Sequence, residues 1–387
     1  MTNGTPRTLI LATSHASELR RPELRPAEYP RTEYVELSRL INCDILDYSI
    51  YDRSRRWGHY RSLERKLRLD FHLALVGFRR ARECDVVLLM SEQVAIPYML
   101  IHRHILNLPK GLGLSGGRGR MLPATVYVSA HASRKQAKLV RSLRLFADLD
   151  IAVGNTRAQQ QFFERDMLIP SDRIRCVLYA ADERFYVPAP PSGPSGCVFS
   201  TGIANRDYPT LFEAAGGLSV PVKVALGGRS YSLAVRRALP PLPDNVELAP
   251  PTDSAGMRRA YQEAALVVVP LKEDRGDATG CSVVLEAGCC ARPVVTCDTA
   301  GMRDYIEHGR TGVLTPIGDP AALRDALESV ISDPGFAESL GSAARAEREG
   351  RLSFANLVDG LAGAVMDAAG RGSRRDLDET DSGVEAA

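Results

Sequence analysis

Short apolar runs alternate with helically spaced stretches along most of this chain. Residues 8–12, 85–90, 125–129 and 149–153 read as strands in the first half. In the second half the same reading falls on 198–201, 220–226, 246–248, 266–269 and 293–296. Most of these runs are largely apolar rather than alternating, as expected of strands buried on both faces. Strands of that kind separated by helices predict parallel sheets covered by helices, an α/β protein. Pro188-Ala189-Pro190-Pro191-Ser192-Gly193-Pro194-Ser195-Gly196 interrupts the pattern, because neither a helix nor a central strand tolerates such a density of Pro and Gly. The chain therefore predicts two domains, 1–187 and 197–352, joined by a linker at 188–196. A last apolar-periodic stretch, 353–369, predicts a terminal helix. Residues 370–387 are polar and lack aromatics, so they read as a disordered tail.

At 387 residues, with 44% hydrophobic and 25% charged residues, the chain is long enough for two cores and ordinary in composition. No apolar run approaches the length of a membrane span. The first residues lack the apolar core of a signal peptide, so a cytoplasmic location is expected. The eight cysteines show no Cys-x-x-Cys spacing and read as reduced, buried thiols. Charge is divided unevenly: residues 1–190 carry 30 Lys/Arg against 20 Asp/Glu, and residues 191–387 carry 19 against 27. Much of the basic excess lies between Arg53 and Arg68, where Trp57 and Tyr60 interleave with arginines. That segment predicts peripheral contact with an anionic membrane at its cytoplasmic face, or an anionic or lipid-linked acceptor. Nucleic acid ranks below this, since no nucleic-acid-binding signature accompanies the charge, and none is expected as a partner.

The richest chemistry lies between Gly276 and Val295, read as a polar loop, a helix opening near Ser282 and a buried strand. Small residues at Thr279, Gly280, Cys281 and Ser282 let backbone amides approach an anion, and a helix N-terminus adds its positive dipole end. Glu286 falls one turn after Ser282 on the same helical face, where a carboxylate can accept hydrogen bonds from paired sugar hydroxyls. Structural helices also open on Gly and Ser, so the pattern is not specific by itself. A second glycine turn, Gly202, ends the strand at 198–201 and precedes Arg206 and the helix cap Asp207. A third, Gly227-Gly228-Arg229, follows the strand at 220–226 and admits a flat ligand such as a nucleobase. His131 ends the strand at 125–129, and His15 follows the first strand. The histidines and acids show no metal-ligand spacing, and no phosphate-binding loop of NTPases or esterase elbow occurs. No metal and no cofactor are expected.

Residues 265–316 resemble the donor-binding region of the retaining "group 1" glycosyltransferases of the two-domain GT-B fold. The likeness rests on the helix ending in Leu285-Glu286-Ala287, the following strand, the turn Asp298-Thr299-Ala300-Gly301 and His308-Gly309-Arg310-Thr311-Gly312. Residues 177–188 and 354–366 resemble the family's interdomain segment and its last helix. The resemblance implies two Rossmann-like domains facing across a cleft, the first binding acceptor and the second a nucleotide-sugar donor, with the C-terminal helix crossing back to the first domain. It also implies transfer of a hexose from a nucleoside-diphosphate donor with retention and without metal. Donor contacts would fall on Glu286, Gly280, Cys281, Ser282, Thr279, Asp277, Gly202, Arg206, Gly228 and Arg229, and catalytic contacts on His131 and His15. Three places depart from the family pattern. Ile203 and Tyr208 stand where it has an Arg and a Lys facing the diphosphate, and Ala278 where it has a Glu touching the sugar. Arg206 is the substitute cation. Two other readings stay open: a sugar-nucleotide-binding protein without transfer activity, and a nucleotide-sugar epimerase of the same fold.

Overall fold

The computed structural model describes residues 4–14, 29–52, 63–64, 66–106, 123–129, 134–189, 196–226, 239–250 and 252–381. The chain divides into two compact units. The first comprises residues 1–23, 32–177 and 358–387, and the second residues 24–31 and 178–357.

Within the described residues of the first unit, six parallel strands form one sheet. They are β1 (Thr8–Ala12), β2 (Cys43–Leu46), β3 (Val86–Met90), β4 (Ala124–Val128), β5 (Ile151–Gly154) and β6 (Ile174–Cys176). Their order is β2-β1-β3-β4-β5-β6. The second unit has its own parallel sheet of β7 (Cys197–Thr201), β8 (Val222–Ala225), β9 (Val246–Ala249), β10 (Ala264–Val269), β11 (Val294–Cys297) and β12 (Val313–Thr315). Here the order is β12-β11-β10-β7-β8-β9. Both units are thus Rossmann-like, as the alternating pattern predicts. The strands absent from that pattern, β2, β6 and β12, are short and lie at sheet edges, where fewer apolar positions are needed.

Burial explains why the central runs are continuously apolar. In the second sheet Val198, Leu266, Val268 and Val295 enter one core, with Leu211 and Phe212 of the helix Tyr208–Ala215. Their neighbours Phe199, Val267, Val269 and Val294 enter a core on the other face, with Tyr261 and Leu285. Successive residues point to opposite faces, and both faces are covered by helices.

Two boundaries differ from the sequence reading. The units part at Val177/Leu178, ahead of the Pro/Gly-rich segment, most of which (190–195) lies outside the described residues. The reason is packing: Ala181, Phe185 and Tyr186 join the core of the second unit. The last helix, Phe354–Asp381, starts in the second unit, and its residues from Val358 onward group with the first. It also runs past residue 369 into the stretch read as a disordered tail. Arg371 secures that extension by pairing with Asp172 at 2.9 Å and donating to its carbonyl. No described helix is long and apolar enough to cross a membrane.

Candidate functional site

In the second unit, the chain leaves β7 toward β8 and β9, then returns on the other side of β7 as β10. The carboxyl ends of β7 and β10 therefore form the topological switch point, where open α/β sheets bind ligands. The loops leaving these strands are tied together. Asp207 N–H donates to Pro270 O at 3.1 Å, Lys272 N–H to Asn205 O at 3.1 Å, and Arg206 and Leu271 form an isolated antiparallel bridge.

This arrangement folds Arg206 back over the crevice. Its Nε donates to Thr201 O and its Nη1 to Ala204 O, both at 2.9 Å. The residue is only 6% exposed. Burial lowers its pKa, opposed by nearby phenols and thiols of Tyr208, Tyr261, Cys281 and Cys297 rather than by any carboxylate. Among the described residues no acid pairs with it. A buried guanidinium without a carboxylate is costly unless an anion completes it.

Gly280 stands directly beside this cation. It caps the helix Cys281–Cys289 with φ +94°, a left-handed conformation natural only to glycine. A Cβ there would lie 3.4 Å from Arg206 Nη1 and 3.1 Å from Val269 Cγ1. Gly202, at φ +105°, is equally constrained, since a Cβ would come within 2.6 Å of Arg206 Nη2. Two glycines and one arginine thus share one small space at the helix N-terminus.

The predicted residues of the loop divide in their roles. Ser282 is exposed on the first turn, and the amides of Ser282 and Val283 have no intrahelical acceptor. Cys281 is different: its amide donates to Ala278 O at 3.0 Å and its side chain is 5% exposed. Burial pushes its thiol up to about 12, so neither amide nor sulfur is offered to a ligand. Thr279 also turns inward, its amide donating to Asp277 Oδ1 at 2.9 Å and its hydroxyl to the same oxygen. Asp277 consequently shapes the turn. Asp274 joins this loop to the next by accepting from Gly276 N–H and Ala300 N–H, each at 2.8 Å.

Glu286 lies one turn beyond Ser282, half-buried. Tyr261 OH donates to its Oε2 at 2.7 Å, and the Tyr186 hydroxyl is a second donor. Burial nevertheless dominates and raises its pKa to about 7. Both tyrosines escape a reading by motif, because they come from a different helix and from the segment 178–187. Of the departures from the family pattern, Tyr208 is buried and its hydroxyl donates to Gly202 O at 2.6 Å, bracing the glycine turn. Ala278 is 7% exposed.

His15, His131, Gly228 and Arg229 lie outside the described residues, as does most of the basic segment, residues 53–62 and 65. A separate surface depression of about 660 Å³ opens at the carboxyl ends of β11 and β12, beside Asp298, Arg303, His308 and Thr315. Its arginine is already paired in bidentate fashion with Asp298 at 2.7 and 2.8 Å. Among the described residues no three His, Cys, Asp or Glu side chains gather as a metal site.

Comparison with known proteins agrees with this geometry. Residues 205–333 match the family model described as glycosyl transferases group 1. Among curated proteins, D-inositol 3-phosphate glycosyltransferase of Thermobifida fusca is 33% identical over 125 residues, 32% of this chain and 28% of that protein. The chain thus matches less than a third of the length of such relatives. Among solved structures, Anabaena HepE in complex with UDP-glucose superposes with a TM-score of 0.66 at 14% identity, over 93% of this chain and 99% of that one. A glycosyltransferase from Rickettsia africae gives 0.64 at 13% identity, over 95% and 99%. Residues 205–333 thus resemble the group 1 glycosyltransferases, and the chain has the fold of the GT-B structures.

Proposed function

We propose that this protein transfers a hexose from a nucleoside-diphosphate donor to an acceptor hydroxyl, with retention at the anomeric carbon and without a metal ion. The observation that carries the reading is Arg206, a buried cation with no carboxylate partner among the described residues, set against the Gly280 helix N-terminus at the switch point. A diphosphate supplies the missing anion. As the bond between the anomeric carbon and the diphosphate breaks, negative charge grows on the leaving phosphate. Arg206 and the amides of Ser282 and Val283 are already oriented toward it, so little reorganisation is needed. The acceptor oxygen then bonds to the anomeric carbon on the face the diphosphate leaves, and its hydroxyl proton passes to the departing phosphate oxygen.

Glu286 is assigned the ribose hydroxyls. Its carboxylate accepts from vicinal hydroxyls in addition to Tyr261 and Tyr186, a set of charge-assisted bonds. Gly228 and Arg229 are assigned to the base and diphosphate, and His131 and His15 to hydrogen bonding of the transferred sugar. The nucleotide-sugar ligand of Anabaena HepE supports the donor class. Contact of residues 53–68 with an anionic membrane or an anionic, lipid-linked acceptor belongs to the same proposal.

Binding without transfer is the second reading, favoured by the buried Ala278 and by Tyr208, which is engaged in bracing Gly202. The two are separated by incubating the full chain with a panel of nucleotide sugars, with and without chelator. Release of nucleoside diphosphate, and an α-configured product from an α-linked donor, are the expected results. Tight nucleotide binding with no turnover on any donor would leave the binding protein. Loss of turnover on chelation would remove the metal-independent mechanism.

A further inference from the structure

The helix Arg134–Ser142 of the first unit plays no part in the donor site, yet its surface is unusually sorted. From Arg134 to Ala147 the sequence holds no acidic residue. Ala137 and Val140 seat the helix in the first core, followed by Leu145 and Phe146 beyond its end. On the outer side Leu139 and Leu143 are 38% and 47% exposed. Lys135 and Leu139 lie one turn apart on the helix, and Leu143, just past its end, continues that row, its amide donating to Leu139 O at 3.1 Å. Lys138, Arg141 and Arg144 are exposed beside that row. The nearest acid in sequence, Asp148, is occupied by Arg103 at 3.3 Å. Among the described residues none of these four basic side chains forms an ion pair.

Exposed leucines are ordinary when scattered, but two adjacent ones ringed by unpaired cations are not. We infer that this surface docks the first unit on an anionic lipid bilayer. The leucines enter the boundary between headgroups and acyl chains, while Lys135, Lys138, Arg141 and Arg144 extend their stems and keep their charges at the phosphates. Charge complementarity selects an anionic surface, and the paired leucines give the contact an apolar component that a soluble polyanion cannot use. This surface is separate in sequence from residues 53–68, so it stands whether or not that segment touches lipid.

The test is co-sedimentation of the full chain with phosphatidylglycerol/phosphatidylcholine vesicles and with pure phosphatidylcholine vesicles at low salt. Partitioning is expected on the anionic vesicles alone and is expected to fall with added salt. Replacing Lys138→Gln and Arg141→Gln together should weaken it about thirtyfold. The pair Leu139→Ser and Leu143→Ser should weaken it about tenfold at a salt concentration where the charges are screened. Both pairs are exposed, and an unchanged thermal midpoint and unchanged titration with free UDP report that each variant is folded. Wild-type partitioning in both double variants overturns the inference. So does equal binding to neutral vesicles, absence of binding to either, or binding to a soluble acidic protein or RNA with none to vesicles.

Discussion

Both sheets are parallel with a switch point beside their first strand, but they differ in strand order and in what they place at that point. In the second unit, the crevice between β7 and β10 holds a buried guanidinium with no carboxylate partner among the described residues, flanked by two glycines and a helix N-terminus. In the first, the equivalent crevice lies between β1 and β3, and its described residues are hydroxyl-bearing. Thr13 Oγ1 lies 3.2 Å from both Met90 O and Ser91 Oγ, and Ser14 Oγ lies 2.8 Å from Tyr34 OH. An acid, Glu92, stands at the start of the helix that follows β3. Glu92 Oε1 accepts from Tyr127 OH at 2.8 Å and from Ser129 Oγ at 2.7 Å. Where the second unit places glycines at positive φ, the first holds Ser91 at φ +119°. Among the described residues, similar sheets thus present a cationic crevice in the second unit and a hydroxyl-lined one in the first.

The comparison breaks most readily at Arg206. Arg206→Ala should lower affinity for a free nucleoside diphosphate about a hundredfold by calorimetric titration, since it removes at least two bonds worth about 1.5 kcal/mol or more each. Arg206→Lys should recover part of it. Unchanged affinity in the alanine variant moves the anion site elsewhere. Gly280→Val comes next. It forces a β-branched residue to positive φ and crowds Val269 and Arg206, so nucleotide affinity should fall more than tenfold, with a loss of stability of about 1–3 kcal/mol.

Glu286 sharpens the comparison through pH. Its pKa is raised on folding, so the protonated form is the one the native state favours. Its contribution to stability is therefore full below the unfolded value near 4.5 and declines as pH rises toward about 7. Donor binding should follow the opposite sense, strengthening as the carboxylate ionises near pH 7, by about tenfold. Glu286→Gln should weaken binding and flatten that profile while raising stability at pH 8. A profile that persists in the glutamine variant assigns the titration to another group.

Smaller effects are expected in the first unit. Glu92→Gln should cost about 1–2 kcal/mol in urea denaturation and leave nucleotide affinity alone, because it weakens hydrogen bonds to Tyr127 and Ser129 within the first unit. Ser91→Gly relieves a positive φ at the price of unfolded-chain entropy, for a net change within about 1 kcal/mol. A loss of UDP binding in either variant would dissolve the distinction between the two crevices.

Much of this architecture is legible in the chain. Apolar runs predict nine of the strands, most completely in the sheet centres, where burial on both faces leaves little room for polar residues. Gly280, Ser282 and Glu286 are legible as a loop and helix face, since positive φ and four-residue spacing are local properties. Tertiary structure decides the rest. It turns Cys281 and Thr279 inward through bonds to Ala278 and Asp277, and it brings Tyr186 and Tyr261 onto Glu286 from distant segments. Above all it sets the order of β7 and β10, which no periodicity encodes, and with it the burial of Arg206 beside Gly280. A charge in sequence is only a residue type; whether it meets water, a carboxylate or an empty crevice depends on strands far apart in the chain coming to lie side by side.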